Sequence, residues 1–118
     1  MRVYDISPPG KGLVAFEINA SVGRRVATRV VSKIQGVRIL RRPRFLARIR
    51  EDVFCEFKLK GELFNIWQPV RGSGRYWIGS SNGARTPVLL QIRQAFIDYQ
   101  LHTSGWLTLW KRQGKGTL

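Results

Sequence analysis

The stretch VFCEFKLKGELFNIW, residues 53–67, constrains the fold more tightly than any other part of the chain. Two runs of strand-forming residues flank Lys60-Gly61, and glycine supplies the positive φ that a two-residue hairpin turn requires. A turn of that length sets the register. Leu59 opposes Glu62, Phe57 opposes Phe64, and Cys55 opposes Ile66. Side chains alternate between the faces of a strand, so Cys55, Phe57, Phe64 and Ile66 form an apolar face that belongs to the core. On the other face the same register sets Phe54 against Trp67, Glu56 against Asn65 and Lys58 against Leu63. That leaves an aromatic pair on the second face, partly exposed or covered by another element.

Upstream, LVAFEI (Leu13 to Ile18) is short and apolar and reads as a buried strand. Asn19 or Ser21 can cap a helix in which Val22, Val26, Val30 and Ile34 recur every fourth residue, with Ala27 and Val31 beside them and Gly36 closing it. Arg24, Arg25, Thr28, Arg29, Ser32 and Lys33 would cover its other side. Valine is a mediocre helix former, so a strand over the same residues stays open. Val37 to Leu40 reads as a further strand, which Pro43 ends. After the hairpin, Pro69 and Gly72-Ser73-Gly74 lead into a strand at Arg75-Tyr76-Trp77-Ile78. Thr86-Pro87 marks a helix start, and Leu89, Ile92, Phe96 and Tyr99 form the buried stripe of a second helix ending near Ser104-Gly105. Trp106 to Trp110 alternates as a last strand or a docked tail.

This order of elements predicts an α+β fold: a two-layer sandwich with a mostly antiparallel sheet of four to six strands and two helices on one face. The 118 residues suit a single domain, with a core over 12–104, a basic connector at 41–52 and a flexible tail at 111–118.

Charge is the unusual quantity. Lys and Arg total 21 against 7 acids, a net charge of +14, and 15 of the 21 are arginine. Self-repulsion on that scale opposes compaction, and a polyanionic partner is the simplest reason to tolerate it. A solvated basic surface with no dedicated ligand is the plainer alternative. The strand at Val37 to Leu40 supplies Arg38, and the connector supplies Arg41, Arg42, Arg44, Arg48 and Arg50. Arg25 and Arg29 on the first helix, and Arg71 and Arg75 around the glycine-rich turn, add to it. Arginine suits bidentate contact with phosphate, and flat rings hold unstacked bases. Exposed aromatics are expected among Phe54, Trp67, Tyr76 and Trp77, with Phe54 and Trp67 as the candidate base contacts. In a domain this small, core packing competes for all four rings.

Catalysis finds little material. His102 is the lone histidine, beside a helix end where capping or exposure explains it. Cys55 sits on the apolar face and reads as a packed thiol. Glu51 and Asp52 adjoin the arginines and read as ion-pair partners, and Gly72-Ser73-Gly74 is too short to cradle a phosphate. No histidine–cysteine spacing fits a metal, and no cofactor is expected. The expectation is a small non-catalytic domain contacting nucleic acid, RNA or DNA, through an arginine-rich surface. A protein-interaction or inhibitory module for an acidic protein surface is the alternative. Docking of Trp106, Trp110 and the basic tail on anionic lipid ranks third. One cysteine, no signal-peptide pattern at the N-terminus and no membrane-length apolar run point to the cytoplasm. Oligomeric state has no signature.

Overall fold

A computed structural model describes residues 1–41, 53–69 and 74–99 of the chain. They form a six-stranded, wholly antiparallel sheet and two α-helices, an α+β fold. The strands are β1 (Val3–Ile6), β2 (Ala15–Asn19), β3 (Arg38–Arg41), β4 (Val53–Leu59), β5 (Glu62–Trp67) and β6 (Arg75–Ser80). Helix α1 spans Arg24–Ser32, and α2 covers residues 88–99. Across the sheet the order is β1-β2-β6-β5-β4-β3. A meander from β3 to β6 is thus extended at β6 by the β1–β2 hairpin.

The central hairpin has the expected register: Leu59↔Glu62, Lys58↔Leu63, Phe57↔Phe64, Glu56↔Asn65 and Cys55↔Ile66. Lys60 and Gly61 turn the chain with φ of 52° and 80°, the left-handed pair of a tight primed turn. The expected apolar face is the core. Cys55, Phe57, Phe64 and Ile66 are completely buried, and they join Phe16, Ile18 and Ile78 from the neighbouring strands. Phe57 and Phe64 stack at 5.5 Å across the hairpin.

The helices contribute to the same core. Ala27, Val30, Val31 and Ile34 enter from α1 and its exit, and Leu89, Ile92 and Phe96 from α2. Phe96 meets Phe16 edge-on at 5.5 Å. Residues 24–32 are helical, so the valine-rich stripe does not form a strand. Asn19 caps a short 3-10 turn (Ala20–Val22) by accepting from the Ser21 amide, and Gly23 then starts α1. Thr28, expected on the polar side of α1, is buried. Its hydroxyl donates to the Arg24 carbonyl at 2.9 Å, which satisfies the polar atom and lets the methyl pack. At α2, Thr86 Oγ1 accepts from the Val88 amide and Pro87 follows the cap, as the Thr-Pro signal predicts.

Strand β1 is an addition to the expected elements. Val3 pairs with Ile18 and faces the core, while Tyr4 pairs with Glu17 on the opposite face. Asp5 holds Arg93 of α2 through two hydrogen bonds of 2.7 and 3.2 Å. The third strand runs Arg38–Arg41, so Arg41 belongs to the sheet and not to the connector. The rest of the connector, Gly72 and Ser73 of the glycine-rich turn, the second helix's expected end and the Trp106–Trp110 segment lie outside the described residues. No described helix is long and apolar enough to cross a membrane.

Candidate nucleic-acid interface

Alternation along each strand defines a second sheet face, opposite Phe57 and Phe16. Its middle row runs across five strands as successive cross-strand partners: Tyr4, Glu17, Trp77, Trp67 and Val53. All five are half-buried. Trp67 and Trp77 are direct partners on β5 and β6, with ring centroids 5.8 Å apart and planes tilted by 57°. Tilted rings do not consume each other's π faces as a parallel stack would.

Cations border this row. Arg75, two residues before Trp77 on the same face, lays its guanidinium 3.9 Å from the Tyr4 ring centroid, and Arg2 lies 5.5 Å from the same ring. These are cation–π distances. Toward the hairpin turn, Arg38 and Lys58 are exposed cross-strand partners. Like charges placed directly opposite are mutually destabilising. Arg41 is the partner of Glu56, with Nη1 3.9 Å from Oε1 and both side chains over a third exposed. Such a contact contributes little. Leu63, 48% exposed, completes the corner beside Lys58.

The expected site residues divide into three sets. Arg38, Arg41, Arg75 and Trp67 share the second sheet face. Arg25 and Arg29 are exposed on α1, on the side away from Ala27, Val30 and Val31, so they belong to a separate surface. Arg42, Arg44, Arg48, Arg50 and Arg71 lie outside the described residues, as do His102, Glu51 and Asp52.

Phe54 is a correction. Alternation sets it beside Trp67 on the second face, but a β-bulge intervenes: Trp67 pairs with Val53, and Phe54 is the extra residue before Cys55. The bulge turns its ring inward, where it is 1% exposed, 4.8 Å from the Tyr76 ring and 4.8 Å beneath the Arg24 guanidinium. It is core and cannot stack on a base. Tyr76 is buried as well, because it shares a β6 face with Ile78.

Tyr4 and Lys58 belong to this face although neither stands out as a candidate in the sequence. The hairpin register places Lys58 on the second face, but the hairpin's two lysines draw less attention than the chain's 15 arginines. Tyr4 is signalled by VYDI, in which three of the four residues are strand formers, bounded by Ser7-Pro8-Pro9.

Among the described residues no group of three His, Cys, Asp or Glu side chains is arranged to hold a metal ion. Cys55 is completely buried in the core. No protein-family model, no curated protein and no solved structure matches the chain, so the functional reading rests on this surface itself.

Proposed function

We propose that the chain is a small, non-catalytic domain that binds nucleic acid through the second face of its sheet. The observation that carries this reading is the pairing, on one face, of the tilted Trp67–Trp77 rings with the like-charged Arg38–Lys58 partners. A cross-strand cation pair costs stability unless an anion sits between the charges, and a phosphate does so without any covalent chemistry. The rings on the same face, four residues along β5 from Leu63, the partner of Lys58, offer a contact for bases. In this reading both helices cover the core face and leave the other to the ligand. The net charge of +14 supplies the long-range attraction. The protein would act in a reducing compartment such as the cytoplasm, where a lone buried Cys55 is not oxidised.

Fluorescence anisotropy with a mixed-sequence oligonucleotide tests the reading. Affinity should fall steeply with added salt, by about 0.7 log units per log unit of salt for each single-strand phosphate contacted. The double variant Arg38→Ser/Lys58→Ser should flatten that slope by up to roughly 1.4. No binding at low salt would instead favour an acidic protein surface as partner. Exposed Leu63 and Leu40 at the same corner are the observation on that side.

A further inference from the structure

We infer that this face selects single-stranded over double-stranded nucleic acid, with Trp67 and Trp77 as the platform for unpaired bases. The inference rests on the nucleic-acid reading above and adds the form of the ligand.

Geometry decides the form. The two indoles sit on β5 and β6, the interior of a six-stranded sheet, with two further strands on either side of them. Strands are about 4.8 Å apart, so the sheet is roughly 24 Å wide. The major groove of B-DNA is about 12 Å wide and admits a helix or a two-stranded ribbon. A face of that width does not enter either groove of an undeformed duplex, which offers it phosphates, and rings at its centre meet base edges only where a duplex is bent and its minor groove opened. Bases that are not stacked in a helix have no such restriction, since every one carries a π face that can lie on an indole.

The arrangement of charge agrees. Arg75 flanks the Trp77 row on one side, and the Arg38–Lys58 corner lies on the other, toward the hairpin turn. A strand crossing between them sets its phosphates near cations at both ends and its bases over the indoles in between. The Trp67–Trp77 tilt of 57° leaves ring surface for that contact, unlike the parallel Phe57–Phe64 stack at 20°, which is completely buried. Stacking on the indoles is open to every base, and the row's few hydrogen-bonding groups are the Tyr4 hydroxyl, the Glu17 carboxylate and the two indole N–H groups. The platform should accordingly be tolerant of sequence.

Competition with oligo(dT), oligo(U) and a blunt duplex of the same length, about twelve nucleotides or base pairs, tests this in one salt condition. Both single strands should bind at least about tenfold more tightly than the duplex. The variant Trp67→Thr/Trp77→Thr keeps strand formers at both positions. It should lose about tenfold or more in single-strand affinity, keep its salt slope, and bind duplex as the parent does. Circular dichroism establishes that the variant folds. If it does not, ultraviolet cross-linking of the parent protein to a bromouridine-substituted strand, followed by peptide mapping, answers the same question. The adduct should fall on the peptide holding Trp67 or Trp77. Equal affinity for duplex and single strand would overturn the inference while leaving phosphate binding standing. So would a folded Trp variant that binds as the parent does, or an adduct confined to other peptides. Absence of binding to all three ligands at low salt would overturn the underlying nucleic-acid reading instead.

Discussion

Strand β5 carries two aromatic residues with opposite fates. Phe64 and Trp67 are three positions apart, an odd interval, so they point to opposite faces of the sheet. Phe64 stacks on Phe57 in a completely buried pair, whereas Trp67 tilts against Trp77 on a half-buried surface edged by cations. Both are direct cross-strand pairs with centroids within 6 Å, so ring contact alone does not separate a core from a binding face. What separates them is the surroundings. Around the phenylalanines are Cys55, Ile66, Ile78 and the buried side chains of the helices. Around the tryptophans are Glu17, Asn65, Arg75 and, toward the turn, Lys58 and Arg38.

The sharpest way to break this comparison is to remove the rings of the buried side. Phe57→Ala should destabilise by about 3–5 kcal/mol in urea unfolding, because it leaves a cavity in a fully packed core. Phe54→Ala should cost nearly as much, since the bulge buries that ring too. A loss for Phe54→Ala of under about 1 kcal/mol would return Phe54 to the surface beside Trp67. Gly79→Ala probes the second face at its closest packing. A Cβ there would lie 3.1 Å from both the Ala15 Cβ and the Val14 carbonyl oxygen, so Val14 and Ala15 must give by a few tenths of an ångström; a loss of about 1 kcal/mol or more in urea unfolding would show that they do not, and no loss that they do. The smallest effect is expected at the cationic corner. Arg38→Ser and Lys58→Ser should each change stability by less than about 0.5 kcal/mol, while the salt slope of nucleic-acid binding changes measurably. A large loss of stability at either position would mean that these cations hold the fold.

How much of this is legible in the sequence follows from how local each feature is. The β4–β5 register can be read because a two-residue turn leaves one way to pair the flanking strands. The buried stripes of α1 and α2 are visible because helical periodicity is a property of neighbouring residues. The bulge at Phe54 is not, since its only cause is which partner Trp67 selects across the strands. The pairing of β2 with β6 is equally hidden. Ala15 meets Gly79, and no feature of either segment names the other. That hidden contact is what brings Tyr4 and Glu17 into line with Trp77, so the candidate surface is visible in the sequence only in pieces. Charge singles out Arg75, but its place over Tyr4 depends on the same long-range pairing. Charge alone also groups Arg25 and Arg29 with it, and the helix directs them elsewhere.

The junction of β2 with β6 also has a consequence for the order in which the molecule assembles. The β4–β5 hairpin closes across two residues, and hairpins of that kind form within about 1–10 μs. Strand β6 extends it in chain order, so the Trp67–Trp77 pair can form from a contiguous piece of chain. Joining the β1–β2 hairpin to β6 instead closes a loop containing nearly everything between them, and contacts of such long range slow folding. Tyr4 and Glu17 would then reach the indoles only at this late step. Between the two events β6 would be an unprotected edge, with Trp77 on it and Trp67 on the neighbouring strand, open to pairing with another copy.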